Sequence, residues 1–127
     1  MVKIEERFQN FVIKIGQISS MVKDIAGDKV PDFINMKLKA NLYLGNNKYT
    51  LILSPDEAKF IEGHDPFTEF KIISDEQFWH EVFDGKFTFF GGYTRGLAEI
   101  PNFRPQRFKV FYISGMLSML RSLNMIF

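Results

Sequence analysis

The two histidines of the chain, His64 and His80, are where acid–base or metal chemistry would have to start. Glu76 and His80 stand four apart and share a face of any helix that holds both. Two ligands fall short of the three protein ligands of a catalytic zinc site, so the pair reads as a surface contact. There is no cysteine, which excludes disulfides and thiolate metal sites. No serine sits in a nucleophile elbow. Gly91, Gly92 and Gly96 do not spell a dinucleotide fingerprint, and no strand leads into a Walker sequence. The expectation is a non-enzymatic protein with no cofactor and no metal.

Binding chemistry is better represented. The stretch from Gly85 to Gly96 reads GKFTFFGGYTRG, with Phe87, Phe89, Phe90 and Tyr93 crowded beside Gly91 and Gly92. Each Phe buries roughly 150–250 Å², and the chain holds 15 of them. Glycines let a helix or a ligand approach the backbone closely, because no Cβ intervenes. Such a segment is either plain core or the wall of an apolar site. Met21, Met36, Met116, Met119 and Met125 could adapt such a wall to varied shapes, or simply fill the core.

Charge is uneven. Residues 1–53 carry a net +3, residues 54–84 a net −7 and residues 85–127 a net +5. These segments can neutralise one another on folding. The alternative is a basic rim at Lys86, Arg95, Arg104, Arg107 and Lys109 that meets anionic headgroups or carboxylates. Arg104 and Arg107 beside Phe103 and Phe108 have the parts of a stacking site for nucleic acid. The net charge of +1 gives that reading no support, and no nucleic-acid partner is expected.

The elements that must position these residues follow from periodicity. The length of 127 residues predicts one domain over 1–127. Ile4, Phe8, Phe11, Ile15, Ile18, Val22 and Ile25 are spaced four, three, four, three, four, three. That predicts a long amphipathic helix ending near Gly27 and Asp28, with Pro31 beyond it. Its seam could pair with a second copy, but packing onto a sheet fits better, since the flanking positions are not consistently charged. From Met36 to Leu44 the period becomes two, which predicts a strand. Gly45-Asn46-Asn47 turns the chain, and Tyr49 to Leu53 predicts a second strand. Ala58–Glu62 and Phe67–Ile73 read as a third and fourth strand, with Gly63–Pro66 between them.

Ser74-Asp75-Glu76-Gln77 has the form of a capping box, with Ser74 as N-cap of a helix that carries Phe78, Trp79, Val82 and Phe83 and stops near Gly85. Lys86 to Arg95 is weakly helical, and 97–106 reads as an irregular connection with two prolines. Phe108 to Ile113 alternates as a fifth strand, and a closing helix follows Gly115 with Met116, Leu120, Leu123 and Phe127 on one side. The fold class is α+β, a five-stranded, mostly antiparallel sheet with helices packed on one face.

The run from His64 to Trp79, HDPFTEFKIISDEQFW, with Phe83-Asp84-Gly85-Lys86 after it, resembles the type-two sterol carrier family. The tail is similar too, in Phe108-Lys109-Val110, Gly115, Leu120 and Leu123. The resemblance spans the whole chain and is best over 64–86 and 108–123. It departs between Thr94 and Gln106, where this chain is longer than the family pattern. It implies an apolar tunnel between sheet and helices that holds a lipid.

The combined expectation is binding or carriage of a fatty acyl chain or other lipid. Phe78, Phe83, Phe87, Phe89, Phe90, Tyr93, Met116 and Leu120 would line the site, and Arg95 or Arg107 would hold a carboxylate or phosphate at its mouth. A dry void of about 300 Å³ would cost on the order of 7 kcal/mol, so the site should be occupied, wet or collapsible. The alternative is an interaction or dimerisation module, or an accessory to an enzyme of lipid metabolism. The N-terminal residues carry charges at positions 3, 5, 6 and 7 and no unbroken apolar run, and no window approaches a membrane span. A cytoplasmic monomer or homodimer, touching membranes at most transiently, is expected.

Overall fold

A computed structural model of the chain describes residues 2–26, 37–54 and 57–123. The element order is α1 (Ile4–Ala26), β1 (Leu38–Leu44), β2 (Asn47–Leu53), β3 (Ala58–Glu62), β4 (Lys71–Ser74), α2 (Glu76–Asp84), α3 (Phe89–Thr94) and α4 (Phe103–Ser122). Among the described residues no helix is long and apolar enough to cross a membrane. The expected termination of α1 at Gly27, Asp28 and Pro31 and the start of β1 at Met36 lie outside the described residues.

The α1 seam packs as its spacing requires, with Ile4, Phe8, Phe11, Ile15 and Ile18 all buried. The hairpin of β1 and β2 closes over two residues, with Leu44 paired to Asn47 and Gly45 at φ 62°. That left-handed backbone costs a glycine nothing, which is why the turn falls there. Leu38, Ala40, Leu42 and Leu44 of β1 and Tyr49, Leu51 and Leu53 of β2 are buried, and Phe60 of β3 and Ile72 of β4 join the same core. Tyr49 reaches past the sheet and donates to Glu5 Oε1 at 2.7 Å, and Gln9 Nε2 donates to the Phe60 carbonyl at 2.9 Å. These bonds seat α1 on the sheet. The Tyr49 bond holds the Glu5 carboxyl below its ordinary range, and burial pushes the Tyr49 hydroxyl up to about 12.

Among the described residues the sheet has four strands, in the order β3-β2-β1-β4. The expected fifth strand, Phe108–Ile113, is instead the middle of α4. The residues that α4 buries include Gln106, Val110, Ile113, Leu117 and Leu120, spaced four, three, four, three. Six residues of alternating type fit a strand, but twenty residues of this period fit only a helix. The prolines that suggested an irregular connection mislead in part. Pro105 sits in the first turn of α4, where its missing N–H would have no helical partner anyway. At the open edge beside β4 the fifth-strand position is held by a single antiparallel bridge, Ile73 with Glu99, whose two hydrogen bonds are both 2.8 Å.

Three further details differ from the periodicity. The fourth strand begins at Lys71, because Asp65 turns residues 65–68 by accepting from Phe67 N at 2.9 Å. Asp75, not Ser74, caps α2, its carboxylate accepting from Phe78 N at 2.8 Å. Ser74 is the last residue of β4, where strand pairing claims its backbone first. The β1–β4 pair is parallel while β1–β2 and β2–β3 are antiparallel. A parallel neighbour needs a crossover, and residues 63–70 of that crossover fold over the outer face of the sheet. Asn41, buried on that face, holds them there. Its Nδ2 donates to the Asp65 carbonyl at 2.8 Å, and its Oδ1 accepts from Asp65 N at 3.0 Å.

Candidate functional site: an apolar cleft between three helices

The layer between sheet and helices is filled by interlocking rings. Phe8 stacks on Phe60 with centroids 4.6 Å apart and meets the edges of Trp79 at 4.8 Å and Phe83 at 5.1 Å. Trp79 stacks on Phe89 at 5.0 Å. Where the resemblance implies a tunnel, these side chains occupy the space. Offset and edge-on pairs of this kind are favoured by about 0.5–1.5 kcal/mol beyond their burial. The indole N–H of Trp79 is buried there with no hydrogen-bond partner among the described residues.

What stays open is a half-enclosed cleft of about 170 Å³ at the outer end of this ring stack. Val82 and Phe83 of α2, Phe87 and Thr88 of the following turn, Phe89 of α3, and Leu117, Ser118 and Arg121 of α4 line it. Local sequence builds each wall. Gly85 takes φ 78° and closes α2 with bonds from its own N–H to Val82 O and from Lys86 N to Glu81 O. Three residues after Gly85, Thr88 caps α3, its hydroxyl accepting from Gly91 N at 2.9 Å. Lys86 and Phe87 are thereby held between two helix ends, and Phe87 is half-buried over the cleft.

Gly92 explains the aromatic–glycine stretch. A Cβ there would lie 2.6 Å from Phe78 Cε1 and 2.7 Å from Phe87 Cε1. The bare backbone lets both rings lie against α3. Gly92→Ala is expected to destabilise by about 1–3 kcal/mol, since buried Phe78 cannot retreat. Gly16 has open space around its Cβ position, so Gly16→Ala should shift the midpoint the other way, by up to about 1 kcal/mol. Urea denaturation of the two variants checks both signs.

The electrostatics of the cleft come from arginine. Arg121 donates to the Phe83 carbonyl at 3.2 Å and also to the Asp84 carbonyl. Its guanidinium lies where a Cβ on Gly85 would be. On the other side of α2, Arg7 donates to the His80 carbonyl at 3.0 Å and pairs with the Asp84 carboxylate at 2.8 Å. Cations from α1 and α4 thus cover the negative end of α2. Asp84 spends its charge on Arg7. Among the described residues no carboxylate forms an ion pair with Arg121.

The sequence-derived candidates divide four ways. Phe83, Phe87 and Phe89 line the cleft, while Phe78, Met116 and Leu120 are buried in the core beside it. Phe90 and Tyr93 lie elsewhere, in a ring cluster with Phe103 and Phe111. Arg95 sits over the Phe87 ring at 5.7 Å, and Arg107 lies over Phe108 at 4.7 Å while donating to the Arg104 carbonyl. Sequence reasoning missed Val82, Thr88, Leu117, Ser118 and Arg121. The one signal for Arg121 was a lone cation in the last turn of a terminal apolar helix.

No family model and no curated protein matches the chain by sequence. Solved structures do match. The crystal structure of sterol carrier protein 2 aligns over 91% of this chain and 94% of its own, with a TM-score of 0.60 at 18% identity. This chain has the sterol-carrier fold. The apo form of sterol carrier protein 2 from Yarrowia lipolytica aligns over 87% of this chain and 86% of its own, with a TM-score of 0.54 at 15% identity. The sterol-carrier domain of the ubiquinone synthesis protein UbiJ aligns over 84% and 95%, with a TM-score of 0.55 at 8% identity. The stereoselective inverting sec-alkylsulfatase Pisa1 from Pseudomonas sp. aligns over 65% of this chain, with a TM-score of 0.51 at 8% identity. This chain spans only 13% of the alkylsulfatase's length, so there the sterol-carrier fold is a small part of a larger chain.

Proposed function

We propose that this single sterol-carrier-like unit binds an apolar ligand, a fatty acyl chain or another lipid, without catalysing a reaction on it. The observation that carries the reading is the cleft between α2, α3 and α4, apolar along its walls and open to solvent at Arg121. Its 170 Å³ is below the roughly 300 Å³ at which small-molecule sites begin, so a chain enters only as the walls part. The half-buried Phe87 ring is the adaptable part of the wall. Closure in the absence of ligand spares the protein the cost of a large dry void.

At the mouth, Arg121 takes the role that sequence alone offered to Arg95 or Arg107. Its guanidinium bonds two neutral carbonyls, and an entering carboxylate or phosphate would exchange them for contacts between opposite charges, bidentate where the fork of the guanidinium fits. The test is native mass spectrometry of the purified chain together with titration of a fluorescent fatty acyl probe. Bound lipid, or saturable uptake abolished by Leu117→Trp, supports the reading. Absence of co-purified lipid together with no uptake by the wild type sinks it.

A second reading is an accessory to an enzyme that acts on lipid or acyl substrates. The alkylsulfatase, in which this fold is one small part, favours it. Under that reading the cleft still binds the chain, and the catalytic groups belong to a partner. A cytoplasmic monomer or homodimer is compatible with both readings.

A further inference from the structure

The face of α4 turned away from the core is unusual for an exposed helix. Arg104, Arg107, Phe108, Phe111, Gly115 and Ser118 form a continuous exposed stripe at helical spacing, about 21 Å long. Phe108 is 61% and Phe111 45% exposed. The twenty residues of α4 contain no Asp or Glu. A solvated face of this length would ordinarily mix both signs of charge. Beside the stripe, the Phe90 and Tyr93 rings of α3 pack against Phe103 and Phe111, with centroids 4.9–6.3 Å apart, and extend the apolar surface.

We propose that this α3–α4 face docks on an anionic lipid surface. The guanidinium groups of Arg104 and Arg107 would meet lipid phosphates, and Phe108 and Phe111 would enter the boundary of the acyl region. Charge selects this occupant. A second copy would bring two more arginines to the same face with no carboxylate on either helix to offset them. A single-stranded nucleic acid needs free ring faces on which bases stack. Here Phe103 lies stacked against Tyr93 at 4.9 Å and against Phe90 at 6.3 Å, so those faces are spent inside the cluster. The stripe ends toward Gly115 and Ser118, whose small side chains keep the helix flat on a surface.

The docking does not depend on a ligand in the cleft. It is tested on the full chain by co-sedimentation with vesicles of phosphatidylcholine alone and of phosphatidylcholine with phosphatidylglycerol, at low and raised salt. The wild type is expected to pellet only with the anionic vesicles and to release as salt rises. Arg104→Gln and Arg107→Gln should each weaken binding about fivefold. Phe108→Ser, at the more exposed ring, should weaken it several-fold with an unchanged thermal midpoint, and adding Phe111→Ser should bring the loss to about tenfold or more. Ile13→Ser, on the exposed face of α1, should bind as the wild type does. The proposal is overturned if the wild type does not bind, or if it binds neutral vesicles equally. It is also overturned if the α1 variant loses binding while the α4 variants keep it. A lipid-free dimer or an oligonucleotide complex broken by the Phe108 change would likewise assign the face to another occupant.

Discussion

Replacing Phe89 with alanine is expected to lower stability by about 3–5 kcal/mol and, at the same time, to raise uptake of an acyl probe. The two effects have one cause. Phe89 is fully buried, stacks on Trp79 at 5.0 Å with an interplanar angle of 16°, and meets Phe78 at 5.9 Å. Removing the ring strips the core of these contacts and leaves a hollow. That hollow opens directly into the cleft of about 170 Å³, because Phe89 is its inner wall. The enlarged space approaches the size of a ligand site. The Thr88 cap keeps α3 in place, since its bond to Gly91 N does not involve the ring. Urea denaturation measures the first effect, and titration with a fluorescent fatty acyl probe measures the second. A stability loss with unchanged or weaker uptake would show that the cleft is not where the chain enters.

Asn41→Ala is expected to cost about 2–4 kcal/mol and to loosen residues 63–70 without touching the cleft. The Asn41 side chain is on the outer face of the sheet, opposite the core. Its amide nitrogen donates to the carbonyls of Asp65 and Thr68, and its oxygen accepts from Asp65 N and the Thr50 hydroxyl. Thr50 has one hydroxyl proton, directed mainly at the Gly63 carbonyl at 2.7 Å and shared with Asn41 Oδ1 at 3.3 Å, and Lys39 pairs with Asp65 at 2.8 Å. Alanine would strand several of these groups, and an unmet buried donor or acceptor is costlier than a bond is favourable. Hydrogen exchange should show faster exchange across 63–70, with α2, α3 and α4 unchanged. Protection lost equally over the whole chain would mean that the crossover is no separate unit of stability.

The contrast between these two sites marks what could be read from residue order. The α1 seam, the hairpin at Gly45 and the end of α2 at Gly85 were all legible. Each depends on residues within about one or two turns of each other. Asp75 displaced Ser74 as the cap by one position, since both can accept the same kind of bond and strand pairing chose between them. The stretch Phe108–Ile113 failed because six alternating residues satisfy either period. The whole helix, from Phe103 to Ser122, had to be weighed to separate them.

Local pattern was enough for α1 and α2, the hairpin, the α+β class and the family likeness, because helix and strand periods and capping bonds act over a few residues. Folding in three dimensions settled the parallel partner of β1, the arginine at the mouth, and how far the rings fill the interior. Those outcomes rest on contacts such as Arg7 with His80 and Arg121 with Phe83, which join residues 73 and 38 positions apart. Ring packing is likewise a matter of shape at close range. Fifteen phenylalanines announce a large apolar volume, but only their mutual angles determine whether that volume closes on itself or leaves a cleft.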